Sequence, residues 1–298
     1  MNVALIGCGA WGKNLARVLY DKRVLHTVCD VAKATLDHYT DVTYRNNYSD
    51  VIKDETVDVV VISTPAIYHF DMVMRALEAN KHVFVEKPLA LSLKEGQFLN
   101  ALAKTRGKVL FVGHLLHYHP AVVEMKKIVA DYVIGDIRYI YSERLNDGAI
   151  RKEESILWSF APHDISVIHA LMGGEPLEVE ARGECFTNSG VYDVTTTHMA
   201  FTANRHASIY VNWLNPTKQQ KMTVIGSDGS LVFDDTETQK LMLYKDGDST
   251  VMHCYQYEPL VEEVEAFINA CNGDEYFTDG DEAVKVLRTL ELASSCLT

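Results

Sequence analysis

The residues able to do chemistry in this chain lie in four short stretches. Gly7-Cys8-Gly9-Ala10-Trp11-Gly12 follows an apolar strand directly and opens a helix. In such a turn the first glycine permits the tight bend, the second lets the backbone approach a pyrophosphate, and the third lets helix pack on strand. The phosphate then meets free N–H groups at a helix N-terminus. Asp30 ends the second strand, 18 residues after Gly12. Its carboxylate accepts hydrogen bonds from ribose hydroxyls and repels a 2′-phosphate, which favours NAD over NADP. Lys33 is close enough in sequence to soften that preference. Ser63-Thr64-Pro65 ends another apolar strand, at the carboxyl edge where doubly wound sheets bind ligands. A plain turn with a helix cap is the other reading of that cluster.

Glu86-Lys87-Pro88 ends the next strand. Proline forces Lys87 out of the α region, so a long cation is fixed at a strand's carboxyl end. A partly desolvated lysine has a lowered pKa and works as an acid or base near neutrality; a solvated surface charge is its ordinary use. In Trp158-Ser159-Phe160-Ala161-Pro162-His163-Asp164-Ile165-Ser166, His163 and Asp164 sit in an apolar, aromatic setting of the kind that tunes an imidazole. The plainer alternative has Asp164 capping a helix and His163 merely packed. His169 falls on the far side of that helix. His114, His117 and His119 are too closely spaced for a metal site and no His-Glu-x-x-His occurs, so no metal is expected. That cluster can still line a pocket mouth.

Positioning these groups falls to elements of two kinds. Over the first hundred residues short β-branched runs (3–6, 24–29, 57–62, 82–85, 109–112) alternate with helix-like stretches (11–20, 70–79, 93–103). Strand–helix alternation of this kind means a doubly wound parallel sheet, and the continuous apolar run 57–62 suits a strand buried on both faces. Near Pro120 the pattern changes. A helix over 121–130 precedes strand-like segments at 136–144, 177–185, 195–202, 207–214, 221–225 and 231–234, joined by turns such as Gly226-Ser227-Asp228-Gly229. Consecutive strands with turn-sized gaps favour an antiparallel sheet. A helix over 156–171 is inserted before it, and 258–297 returns to helical periodicity. The expected architecture is α/β: a Rossmann domain over 1–120 and an α+β domain over 121–298 with a large, mostly antiparallel sheet.

Composition narrows the partners. Of 298 residues, 28 Lys and Arg stand against 41 Asp and Glu, a net charge of −13. So acidic a surface repels phosphate backbones, which argues against nucleic acid while leaving room for a small anionic ligand in a local basic pocket. No apolar stretch approaches a membrane span, and residues 1–6 run straight into glycine without the profile of a signal peptide. The six cysteines form no CxxC pair and no zinc spacing, and none is placed for catalysis; reduced thiols in a cytoplasmic protein are the expectation.

Taken together, GCGAWGKN, STPAIYH, EKPLALS, VGHLLHYHPAV and WSFAPHDIS resemble the Gfo/Idh/MocA family nearly end to end, with Trp213-Leu214-Asn215-Pro216, VIGSDGSLVFDD and Phe277-Thr278-Asp279-Gly280 continuing the match. The resemblance implies an NAD(P)-binding Rossmann domain, an open-faced sheet used for homo-oligomerisation as a dimer or tetramer, and hydride transfer at a sugar or cyclitol hydroxyl. The family's lysine falls on Lys87 and its active-site histidine on His163, the two candidate catalytic residues. The cofactor turn falls on Thr64 and Pro65, with His69 beside it; Gly7, Gly9, Ala10, Trp11, Gly12, Asp30, Ser63, Glu86 and Lys87 complete the candidate cofactor set. Many members carry Asp where this chain has Ser159, so a proton relay through that position is in question. The WSFAPHDIS form looks like the branch of nucleotide-sugar enzymes, which favours a UDP-linked hexose or hexuronic acid oxidised at C3. Candidate substrate contacts are Tyr118, Arg144, Asn146, Arg151 and Ser159, beside Lys87 and His163. Arg144, Asn146, Arg151 and Lys152 precede WSFAPHDIS and either bind a diphosphate or carboxylate or form a solvated charged loop.

Overall fold

The computed structural model describes residues 1–32, 39–148, 150, 154–187 and 190–297. The chain divides into two compact units, Met1–His114 with Glu258–Leu287, and Leu115–Tyr257 with Arg288–Thr298.

The first unit contains β1 (Val3–Ile6), α1 (Gly12–Asp21), β2 (Leu25–Cys29), β3 (Thr43–Arg45), α2 (Tyr48–Lys53), β4 (Val59–Ile62), α3 (His69–Glu78), β5 (His82–Glu86), α4 (Leu93–Arg106) and β6 (Leu110–Gly113). Its six strands are ordered β3-β2-β1-β4-β5-β6 and are parallel throughout. All four residues of β1 and of β4 are buried, as continuous apolar runs at the centre of a two-sided sheet must be. The strand order reverses between β1 and β4, which opens a crevice at their carboxyl ends. Local signals set the helix ends. Ser92 Oγ accepts Glu95 N–H at 3.2 Å at the start of α4, and Gly107 closes that helix at φ 60°. β3 and α2, at three and six residues, are too short to show a periodicity in sequence.

The second unit contains α5 (Pro120–Ala130), β7 (Ile137–Asp147), α6 (Ile156–Met172), β8 (Glu178–Glu184), β9 (Val194–Phe201), β10 (Arg205–Asn212), β11 (Leu214–Gly226), β12 (Ser230–Asp234), β13 (Leu241–Lys245) and β14 (Asp248–Val251). The sheet order is β14-β13-β12-β11-β7-β10-β9-β8, antiparallel except where β7 and β10 run together. α6 packs on β7, β9 and β10, and α5 on β12. Alternation assigns the two faces: Thr195, Thr197, Met199 and Phe201 of β9 are buried, while Thr196 between them is exposed.

The chain then forms α7 (Pro259–Cys271) and α8 (Gly280–Cys296). Here the division departs from a single cut near Pro120, because Glu258–Leu287 packs with the first unit. The reason is apolar: Phe267 of α7 lies 5.4 Å, edge-on, from both Phe84 and Phe111, which stack at 5.3 Å on β5 and β6. Arg17 of α1 also pairs with Glu258 at the foot of α7.

Candidate cofactor edge and the His163 helix

The glycine turn lies at the carboxyl end of β1, and Gly7 and Gly12 have separate steric reasons. Gly7 adopts φ +87°, and a Cβ there would come within 2.9 Å of the Ser63 carbonyl oxygen. A Cβ on Gly12 would sit 2.2 Å from the Gly7 oxygen. A Cβ on Gly9 meets nothing within 4 Å, so its backbone faces open space at the start of α1. That exposed backbone beside a helix N-terminus fits a pyrophosphate. Ala10 is exposed alongside it. Asp30 accepts Cys8 N–H at 2.6 Å and Ala32 N–H at 2.9 Å, one on each oxygen, and so ties the turn to the end of β2 with acceptor capacity left for ribose hydroxyls. Ser63 Oγ donates to the Gly7 oxygen at 2.7 Å across the switch point. Thr64 and Pro65 carry the chain on towards α3. Residues 33–38, Lys33 included, lie outside the described residues.

His69 is a strut. It is 1% exposed, with ring nitrogens 2.7 Å from the Pro88 oxygen and 2.9 Å from the Thr64 oxygen, so it holds the two edge loops together. Glu86 ends β5 and accepts Nε1–H of the exposed Trp11, the residue just before α1. Its carboxylate lies against Gly113, where a Cβ would be 3.1 Å from Oε2. Burial pushes the Glu86 carboxyl up to about 7, against the pull of Trp11, Lys87 and His114 towards the charged form. Lys87 follows at the strand's carboxyl end, half-buried, before a cis bond to Pro88.

Glu263, which the sequence does not single out, is fully buried on α7, with no hydrogen-bond partner for either oxygen among the described residues. Its carboxyl is pushed well above the usual range by burial and then by the charge of Glu86. The available signal was an acid on the apolar stripe Leu260, Val264, Phe267.

In the second unit, α6 starts at Ile156 after Ser155, so Asp164 stands mid-helix and caps nothing. It is 2% exposed and receives Arg144 Nε at 2.6 Å, Arg144 Nη2 at 3.3 Å and Ser142 Oγ at 2.6 Å. Arg144 is therefore on a strand, 8% exposed and paired with Asp164, rather than in a solvated charged loop. Alternation puts Ser142 and Arg144 on the helix-facing side of β7. Asn146 is half-buried near the end of the same strand, and Arg151 and Lys152 lie outside the described residues. His163 is half-buried, and Ser159 is buried one turn before it. Tyr118 is half-buried at the end of a short 3-10 turn.

The neighbouring histidines disperse to separate partners. His114 Nδ1 lies 2.6 Å from Glu282, His117 Nε2 lies 2.5 Å from Ser166 Oγ, and His119 Nε2 lies 3.2 Å from Asp235. Lys126 Nζ is 3.3 Å from His117 Nδ1, and burial pushes its pKa down. His169, on the far side of α6, meets Thr289 at 3.1 Å. Among the described residues no group of three or more His, Cys, Asp or Glu is placed to hold a metal. All six cysteines are free thiols, and burial raises Cys29 to about 11. No helix among the described residues is long and apolar enough to cross a membrane.

Residues 1–114 match the profile of an oxidoreductase family with an NAD-binding Rossmann fold, which defines the class: an NAD-binding oxidoreductase unit built on a doubly wound sheet. Residues 122–232 match the Gfo/Idh/MocA C-terminal domain. The chain belongs to the Gfo/Idh/MocA oxidoreductase family. Among curated proteins it is similar to a 2,7-anhydro-N-acetylneuraminate hydratase of Mediterraneibacter gnavus, 24% identical over 78% of this chain and 66% of that one. It is also similar to a scyllo-inositol 2-dehydrogenase (NAD(+)) of Bacillus subtilis, 28% identical over 61% and 56%. The matched segments thus span less than two thirds of either relative. Among solved structures, a UDP-N-acetylglucosamine 3-dehydrogenase of Acidithiobacillus ferrooxidans shares the fold at a TM-score of 0.91, 24% identical over 100% of this chain and 97% of that one.

Proposed function

We propose that the protein is an NAD-dependent dehydrogenase that moves a hydride between a sugar hydroxyl carbon and the cofactor, with C3 of a UDP-linked hexose or hexuronic acid as its substrate centre. The observation that carries this reading is the cofactor edge itself: an open backbone at Gly9, the Asp30 carboxylate, and the Glu86-Lys87 strand end, all in a family of NAD-binding oxidoreductases. When bound, the nicotinamide supplies the hydride acceptor. N–H groups at the start of α1 hold the pyrophosphate and Asp30 selects the ribose. Ser63, Thr64 and Pro65 shape the wall between them. Lys87 stabilises the developing alkoxide, and His163 or Lys87 takes the hydroxyl proton. Tyr118, Asn146 and Arg151 contact the substrate. The protein works in the cytoplasm as a homo-oligomer built on the outward face of the eight-stranded sheet.

Two observations favour a nucleotide-sugar: the WSFAPHDIS form and the fold shared with a UDP-N-acetylglucosamine 3-dehydrogenase. The likeness to a scyllo-inositol dehydrogenase supports a second reading, a free cyclitol or monosaccharide as substrate. A non-catalytic NAD-binding role is the third, motivated by Ser159. NADH absorbance on incubation with NAD and UDP-N-acetylglucosamine, a UDP-hexuronic acid, myo-inositol or glucose separates them. Turnover with a UDP-sugar, together with calorimetric binding of UDP alone, is the expected result. Turnover of inositol without UDP binding transfers the assignment to the second reading, and NAD binding without turnover to the third. Lys87→Ala lowers kcat by at least about 100-fold; turnover within a few-fold of wild type removes Lys87 from the chemistry.

A further inference from the structure

The second unit holds a polar chain, buried at Asp164, Arg144, Ser142 and His119 and partly exposed at Gln220 and Asp235, that the chemistry above leaves unused. It begins at Asp164, the residue after His163, and runs to Arg144 and Ser142 through the contacts already given. Arg144 Nη1 lies 3.2 Å from the Gln220 side-chain oxygen, and the Gln220 amide donates to Asp235 Oδ2 at 3.0 Å, in the amide orientation that satisfies both neighbours. Gln220 and Arg144 are register partners on β11 and β7, and Asp235 N–H donates to the Gln220 backbone oxygen at 2.8 Å. Asp235 Oδ1 receives Lys240 Nζ at 2.8 Å and lies 3.2 Å from His119 Nε2. His119 Nδ1 accepts Ala121 N–H at 3.2 Å at the start of α5, so the ring's N–H is on Nε2 and points at Asp235. Burial works against the Asp235 charge, yet the bonds from His119 and Lys240 hold its carboxyl down to about 2. The far end of the chain is therefore a fixed anion.

Two features give this chain a purpose at His163. Pro162, inside α6, carries no N–H, so the helix lacks the bond to the carbonyl four residues back, immediately before His163. The turn bearing His163 is held by fewer of its own hydrogen bonds, and Asp164 ties it to Ser142 and Arg144 on β7, outside the helix. The second feature is commitment. Arg144 is 8% exposed and its guanidinium is divided between Asp164 and Gln220. A diphosphate drawing that fork away would strand a buried carboxylate.

We propose that Asp164, Arg144 and Ser142, anchored through Gln220 to Asp235, form a positioning chain that fixes the His163 turn, and that Arg144 is a positioning residue rather than a substrate ligand. The proposal rests on the reading of His163 as an acid–base group.

Arg144→Met alone would leave Asp164 unpaired, so the informative variant is Arg144→Met/Asp164→Leu, which replaces the buried pair by apolar side chains. With NAD and UDP-N-acetylglucosamine, or whichever sugar is turned over, this variant lowers kcat at least about tenfold and changes KM by less than about threefold. Asp235→Asn, at the chain's outer end, lowers kcat about two- to fivefold and adds nothing in the Arg144→Met/Asp164→Leu background, because coupled residues are not additive. A tenfold rise in KM at unchanged kcat would make Arg144 a substrate ligand and overturn the proposal. Unchanged kinetics in the folded paired variant would reduce the chain to scaffolding and overturn it equally, as would an additive effect of Asp235→Asn. Should the paired variant fail to fold, Asp235→Asn and Gln220→Leu decide by the same split of kcat from KM. If no sugar is oxidised by wild type, the dehydrogenase reading fails while the chain stays testable. The His163 imidazole signals in nuclear magnetic resonance, identified by their loss in His163→Asn, shift and broaden in the paired variant or in Asp235→Asn; signals identical to wild type overturn it.

Discussion

At the scale of single residues, Glu86 shows how burial and hydrogen bonding compete. Its carboxyl is pushed up to about 7 although Trp11 and the Lys87 backbone favour its charge, because desolvation is the larger effect. The native state therefore keeps a proton that the unfolded chain releases near 4.5. Stability follows in sign: between about pH 4.5 and 7 the native state binds the extra proton, so each step up in pH costs native stability through this group. Glu86→Gln, which still accepts from Trp11, is expected to raise Tm relative to wild type more at pH 8 than at pH 5. An equal shift at both values would show that Glu86 titrates normally. Residue chemistry was unevenly legible. The glycines and Asp30 announce themselves because each does a steric or hydrogen-bonding job within one βα turn. Glu263 and the pairing of Arg144 with Asp164 do not, since both depend on partners on other elements.

Among elements, the β1–α1 turn is held by contacts that leave no space for a side chain at Gly7 or Gly12. A methyl at Gly12 would lie 2.2 Å from the Gly7 oxygen and 2.7 Å from Ser63 Oγ. Gly12→Ala is expected to destabilise the protein by about 1–3 kcal/mol and to abolish NAD binding, measured by thermal melts and calorimetry. Full-affinity NAD binding by that variant would place the cofactor elsewhere. Most strands and helices of the first unit were readable, because a parallel strand buried on both faces must be a continuous apolar run. In the second unit the bounds shifted more. The expected strand at 221–225 is the end of β11 (Leu214–Gly226), whose first half pairs irregularly with β7 and carries no clean alternation. Asp164 as a helix cap failed because α6 already begins at Ile156, leaving Asp164 mid-helix.

For the whole molecule, the proposed oligomer makes the outward face of the eight-stranded sheet the test. Tyr141 stands there, 38% exposed, opposite Ser208 on β10. Nearby, Tyr139 and His198 both reach Ser208, and the His198 and His206 rings stack at 5.4 Å. Tyr141→Lys is expected to lower the mass seen by light scattering towards that of one chain while leaving NAD binding unchanged; an unaltered mass would locate the interface on another surface. The acidic charge of −13 bears on this scale as well. It opposes polyanions in general, and the proposed dinucleotide site relies on one helix N-terminus rather than on the net field. By itself the sequence determined the two kinds of sheet, the cofactor turn and the family, because apolar periodicity and glycine sterics are written within a few neighbouring residues. Only the tertiary structure decided that α7 packs on Phe84 and Phe111, that His69 is a brace, and that Arg144 is spent on Asp164. Those outcomes depend on strand register and on which polar groups are buried together, and neither is a property of any local stretch of chain.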